Sequence, residues 1–337
     1  MAAATMYVTA AGAGTKDGTT WAKAMGEAEF ETDLEGGAEA GDIYYVQAGN
    51  YTLDSAYDSS ARDGTAVAPI SIIGVKAATS AEPPTYSDWS PVGDADRPTF
   101  VCAANAVTFG DFYKLYNTIW TGTGTNVVAF GTFCVAYNMK STNSGTATKN
   151  ALWGNSGINY ICCEGISTNG IAFAAGVHGN CLINCYLHDS TTLISISVST
   201  LYCTILNTVI DTAITGIALL ATYGLRVINN TFYNCTTSVT GSSGYANLFM
   251  NNIIDSSYDA FKWTTQTDIN FFWKNHQGNT VTRMYNTATN KVASTLPHTD
   301  PAVSSGDPLF DGAAGGDFSL AAGSPCINNA LTPTLGT

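Results

Sequence analysis

The chain has 337 residues, 12% of them charged and 45% hydrophobic, with a formal net charge of −13. So little charge excludes a disordered tail, which needs high charge and low hydrophobicity to stay solvated. The acid excess excludes nucleic acid and anionic membrane as partners, because both require clustered cations.

In chain order, Met1 to Tyr7 lacks the cationic start and apolar core of a secretory signal, so release by signal removal or by host lysis is expected. Apolar spacing at Trp21, Ala24, Met25 and Ala28, closed by Gly36-Gly37, predicts a helix covering the start of the fold. Its stretch gathers Glu27, Glu29, Glu31, Asp33, Glu35, Glu39 and Asp42, which are read as a solvated face. Strands follow at 41–53 and 69–75. Residues 76–97, with Pro83-Pro84 and Pro91, read as a long loop leaving the body. No apolar run reaches the length of a membrane-spanning helix.

From there a strand-like segment ending in Asn recurs. The positions are Asn117, Asn138, Asn184, Asn207, Asn230, Asn252 and Asn275, with Cys162 at the equivalent point between the second and third. The spacings are 21, 24, 22, 23, 23, 22 and 23 residues. Two residues before stand Leu115, Ala136, Tyr160, Leu182, Ile205, Ile228 and Met250. Two residues after stand Ile119, Tyr186, Val209, Phe232 and Ile254, with Lys140 and Glu164 as exceptions. Alternation of period 2 on both sides of a polar residue describes two strands meeting at a bend. A period near 22 built from strands alone predicts a solenoid whose coils stack about 4.8 Å apart. Stacked Asn side chains would then form a structural ladder at the bend.

The nine cysteines lie mostly in strand-like segments and read as buried thiols, with one or two disulfides as the alternative. Neither their spacing nor that of His178, His188, His276 and His298 suggests a metal site.

The opening YVTAAGAGTKDGTTWAKA, the segments GDIYYVQAGNYT and PISIIGV, and the ending DPLFDGAAGGDFSLAAGSPCIN resemble right-handed parallel β-helix proteins of the pectate-lyase-like superfamily. The resemblance implies an all-β, single-stranded right-handed parallel β-helix. It divides the chain into an N-terminal strand and capping helix (1–40), the β-helix (41–275) and an irregular C-terminal segment and cap (276–337). Superfamily members include pectin-degrading enzymes, phage tailspikes, virion surface proteins and adhesins.

Glycoside hydrolysis needs two carboxylates facing one sugar. GVHGN (176–180) resembles part of the GHG segment of the pectin hydrolases, and NTVID (207–211) loosely resembles another, but no DD pair and no following Arg-x-Lys occur. One polar edge stands out just beyond the bend, where His188, Asp189, Asp211, Asn234 and Asp255 fall at similar offsets. It is the candidate sugar- or ion-binding strip. Catalytic residues, cofactors and metals are not expected from this pattern. Aromatics are read mainly as core, with glycan contact as the alternative.

The sequence reading therefore leans to a non-enzymatic β-helix protein of a particle or cell surface, most of all a phage virion component such as a capsid decoration or tail-associated protein. The alternatives are a secreted polysaccharide lyase or glycoside hydrolase and a surface adhesin. Expected partners are other virion or surface proteins and glycans, with a homotrimer as one assembly and the virion or extracellular surface as the location.

Overall fold

A computed structural model describes residues 3–53, 58–90, 93–102, 107–145, 149–176, 178–196, 202–220, 222–242, 244–255, 258–263, 270–273, 275–278, 283–287 and 307–327. The fold is all-β, a parallel β-solenoid with very few helices. The chain comprises two compact units, Met1–Ala174 and Ala175–Thr337.

In the first unit, strands Thr5–Val8, Ile43–Gln47, Ile70–Val75, Tyr113–Tyr116, Val135–Tyr137 and Asn159–Ile161 pair in parallel, each with the next. A second row runs Asn50–Leu53, Thr99–Cys102, Ile119–Gly122, Lys140–Asn143 and Glu164–Ser167. Ile72, Leu115, Ala136 and Tyr160 alternate inward along the first row and are fully buried. Aromatic rings fill the interior: Trp120 stacks on Phe100 at 4.2 Å, and Phe130 on Phe109 at 5.7 Å. Such rings bury large apolar area, which offsets the ordering of a long chain.

The first α-helix is Glu27–Gly36, shorter than the sequence spacing suggested, because Trp21–Lys23 forms a 3₁₀ turn and Met25 bridges to Val8. Phe30 and Leu34 are buried, with Phe30 against Tyr44 and Phe100. The acids here do not form a plain solvated face. Glu27 accepts from Thr52 N at 2.7 Å, Asp33 from Tyr44 Oη at 2.7 Å, and Asp42 from Ala4 N and Glu39 N at 2.7 and 2.8 Å. They fasten the helix and its exit to the coils.

The stretch 76–97 is likewise tied down instead of leaving the body. Trp21 Nε1 donates to Ala81 O at 2.9 Å, Gln47 Nε2 to Thr79 O at 2.6 Å, and Arg97 to Asn138 O at 2.7 Å. A short helix, Tyr86–Trp89, brings Trp89 against Tyr116.

In the second unit, Cys181–Ile183, Thr204–Leu206, Arg226–Ile228, Asn247–Met250 and Asn270–Trp273 form one parallel row. Three eleven-residue strands, Tyr186–Ile196, Val209–Leu219 and Thr231–Gly241, form another. An antiparallel hairpin, Phe310–Gly312 with Asp317–Leu320, follows.

The recurring Asn resolves into two columns. Asn117, Asn138 and Cys162 in the first unit, and Asn184, Asn207, Asn229 and Asn251 in the second, have φ between 50° and 54° or, for Asn229, 56°. This left-handed bend tolerates Asn far better than branched residues, which explains the repeat. Cys162 occupies the position predicted for it. Asn230 and Asn252, however, lie one residue past the bend, since Leu206 pairs with Ile228 and Ile228 with Met250. Asn275 aligns with Asn252 by the same register, which sets Met250 opposite Trp273. A slip of one residue reverses the face of every side chain. The buried residues of these coils are accordingly Val227 and Phe249, while the predicted Ile228 and Met250 are half-exposed.

Asn230, Asn252 and Asn275 form their own ladder, each at most 1% exposed. Asn252 Oδ1 accepts from Asn230 N and Nδ2, both at 3.0 Å, and Asn252 Nδ2 donates to Val227 O at 2.9 Å and Asn275 Oδ1 at 2.8 Å. Thr208 N donates to Asn230 Oδ1 at 2.8 Å. In the bend column, Asn138 Nδ2 donates to Asn117 Oδ1 at 2.8 Å, and Asn117 donates to Trp89 O.

All nine cysteines stand as thiols, and Cys102, Cys134, Cys163, Cys185, Cys203 and Cys235 are buried. Burial pushes the Cys102 and Cys134 thiols up to about 12 and Cys203 to about 11, which suits small apolar fillers.

Candidate functional site

The polar edge predicted from sequence lies wholly in the second unit and divides into two adjacent columns. Strand register sets His188 opposite Asp211, Asp211 opposite Tyr233, and Tyr233 opposite Asp255. Asp189, Thr212 and Asn234 occupy the next position, all left-handed at φ 50° to 52°. The five predicted residues are thus near one another in register but do not share one line.

Their contacts centre on Asp211. Its carboxylate accepts from Tyr186 Oη at 3.1 Å and Thr212 Oγ1 at 2.8 Å, and the residue is only 9% exposed. Asn234 Nδ2 donates to Thr212 Oγ1 at 3.3 Å. The Tyr186 ring stacks on the His188 imidazole, with centroids 4.2 Å apart and planes at 18°. His188 Nδ1 lies 2.8 Å from Asp189 Oδ2, and the Asp189 side chain is 63% exposed. Two carboxylates thus sit in contrasting settings, one buried under hydroxyl donors and one open beside an imidazole. Asp255 lies over Gly278, where an added Cβ would come within 2.2 Å of its Oδ1.

Sequence reasoning missed Tyr186, Thr212 and Tyr233. Tyr186 was findable, since it stands two residues before His188 on the same strand face. The C-terminal hairpin was less legible: Phe318 packs on Tyr186 and Tyr233, and Phe310 on Tyr233, with centroids 5.5 to 6.3 Å apart. The segment expected to close an end therefore rests along the flank of these coils.

In the first unit, Lys140 Nζ lies 3.1 Å from Asp94 Oδ2 and 2.9 Å from Glu164 Oε1, and Arg97 pairs with Asp94. Partial burial disfavours the charge of Lys140, but Glu164 and Asp94 outweigh it and hold the ammonium above its ordinary range. A lysine so held is a poor base. Lys140 and Glu164, exceptions to the apolar pattern in sequence, are neighbours on the outward face. His178, from the segment resembling a GHG, is exposed. Among the described residues, no group of three or more His, Cys, Asp or Glu could hold a metal ion.

No family model and no curated protein matches the chain. Among solved structures, it is similar to the pectate lyase Pel9A, with a TM-score of 0.59 and 12% identity over 100% of this chain and 94% of that one. The PL6 family alginate lyase AlyGC gives a TM-score of 0.58 and 10% identity over 83% of this chain and 40% of that one. The PL6 family polysaccharide lyase of Pseudopedobacter saltans gives 0.56 and 13% over 75% and 62%. This chain therefore spans less than two thirds of either PL6 enzyme. These likenesses establish the fold, a pectate-lyase-like parallel β-helix.

Proposed function

We propose that the protein is an extracellular polysaccharide-degrading β-helix protein, a lyase or glycoside hydrolase, working at the strip around Tyr186, His188, Asp189, Asp211 and Asn234. The observation that carries this reading is the arrangement of Asp189 and Asp211. One carboxylate is buried under two hydroxyl donors, and the other is exposed and paired with an imidazole. The two carboxylates therefore offer a sugar different contacts, one already engaged by hydroxyl donors and one open to solvent beside an imidazole able to transfer a proton. Asp189 orients His188 for proton transfer, and Asp211 with Tyr186 supplies the second polar contact to a sugar. The fold shared with three polysaccharide lyases supports the substrate class.

A second reading, a non-catalytic surface component such as a virion protein or adhesin, is favoured by the hairpin lying on Tyr186 and Tyr233 and by the saturated ion pairs of Lys140. Incubation with neutral and acidic polysaccharides, following reducing ends and unsaturated products, separates the two. Turnover that falls about 100-fold in both Asp189→Asn and Asp211→Asn supports degradation. Absence of any product across the panel favours the second reading.

A further inference from the structure

At a second corner of the first unit, the residues at the left-handed position are Phe112 (φ 58°) and Phe133 (φ 55°), followed by Gly157 (φ 68°). In the second unit, Gly179, Tyr202, Gly224 and Ala246 have the same conformation. Glycine is the residue this backbone favours, and a bulky aromatic there is strained. Strain of this kind persists where a side chain has a use that outweighs it. Core filling is not that use, since Phe133 is 59% exposed and Tyr202 68%.

The two phenylalanine rings stack, with centroids 5.3 Å apart and planes at 25°. The Phe133 ring lies over Gly157, where an added Cβ would sit 2.8 Å from its Cδ1. The glycine leaves the room the ring occupies, and Phe112 braces it from the preceding coil. A preorganised, solvent-facing aromatic surface results. One carboxylate stands beside the pair: Asp111, next to Phe112 in sequence, accepts from the backbone N–H of Thr132, next to Phe133, at 2.6 Å.

We propose that Phe112 and Phe133 form a binding platform for a neutral polysaccharide, on which the apolar face of a pyranose ring stacks while its hydroxyls meet Asp111 and solvent. Apolar C–H groups over an aromatic face, with polar groups around the edge, match the amphipathic surface of a sugar ring. The Asp111 carboxylate beside the rings, on a chain of net charge −13, disfavours a polyuronate by like-charge repulsion. Tyr202, whose ring covers Gly224, repeats the device in the second unit. The platform shares only a ligand class with the strip around Asp211, and its test reads binding, not turnover.

The test is affinity electrophoresis of the full chain through gels containing a soluble glucan, a galactomannan, alginate or polygalacturonate. The comparison proteins are Phe133→Gly and Phe133→Asn, with circular dichroism and thermal melting alongside. Both variants place a residue at ease with positive φ, so Tm stays level or rises. Retardation by at least one neutral polysaccharide is expected, weakened about tenfold or more in both variants. Three results would each overturn the proposal: no retardation by either neutral polymer, equal retardation of variants and parent, or stronger retardation by the polyuronates.

Discussion

The residue just past the Asn bend is solved differently in the two units. In Met1–Ala174 it is Thr118, Met139 and Cys163; in Ala175–Thr337 it is Cys185, Thr208, Asn230, Asn252 and Asn275. All are buried, yet the first unit has a hydroxyl, a thioether and a thiol with no amide among them, while the second passes from a thiol and a hydroxyl to a hydrogen-bonded ladder of three amides. The bend itself is kept constant, with a left-handed residue in every described coil of this series. Backbone conformation therefore dictates the bend residue, whereas the inward position admits any side chain that fills space and satisfies its neighbours. An amide ladder buried this deeply carries high stakes, because removing one rung leaves several partners unsatisfied.

The sharpest way to break this contrast is Asn252→Ala. It removes the acceptor of Asn230 N and the donor to Val227 O, and should cost about 4 kcal/mol in urea unfolding. Met139→Ala, at the matching place in the first unit, leaves a cavity without orphaned amides and should cost about 3 kcal/mol. A loss for Asn252→Ala well below that for Met139→Ala would undo the distinction.

The thiols give an effect of intermediate size. Burial raises Cys134 to about 12 and Cys203 to about 11, above the ordinary thiol value of 9.0. An acid whose folded pKa is raised contributes stability that is intact below the unfolded value and lost as pH climbs towards the folded one. The urea midpoint should hold up to about pH 9 and then fall steadily towards pH 11. A flat midpoint across that window would contradict the burial of these thiols. Smallest of all, Asn207→Gly at the exposed bend should change stability by no more than about 0.5 kcal/mol, because glycine is equally at ease with φ 50°.

Much of this architecture was legible from the chain. The period, the two strands around each bend and the place of Cys162 follow from spacing alone. The register of the later coils did not, for a specific reason: Asn229-Asn230 and Asn251-Asn252 are doublets, and each offers two candidates for one bend. Burial alternation decides between them, since Val227 and Phe249, not Ile228 and Met250, face the core. The candidate strip was found in part, because His188 and Asp211 share an offset from the bend. Tyr186 was passed over because its place two residues past the bend read as a core flank, although it shares a strand face with His188; the cover by Phe310 and Phe318 could not be read from local pattern. The Asp94, Arg97, Lys140 and Glu164 cluster was equally hidden, since two of its members come from the stretch 76–97.

Equilibrium urea unfolding of Asn229→Gly beside Asn230→Ala tests the two-column assignment most directly. The pair are adjacent in sequence, but one is an exposed bend and the other a buried rung. The expected result is a change within about 0.5 kcal/mol for the first and a loss of about 3 kcal/mol for the second. Equal losses, or a larger loss at Asn229, would contradict it.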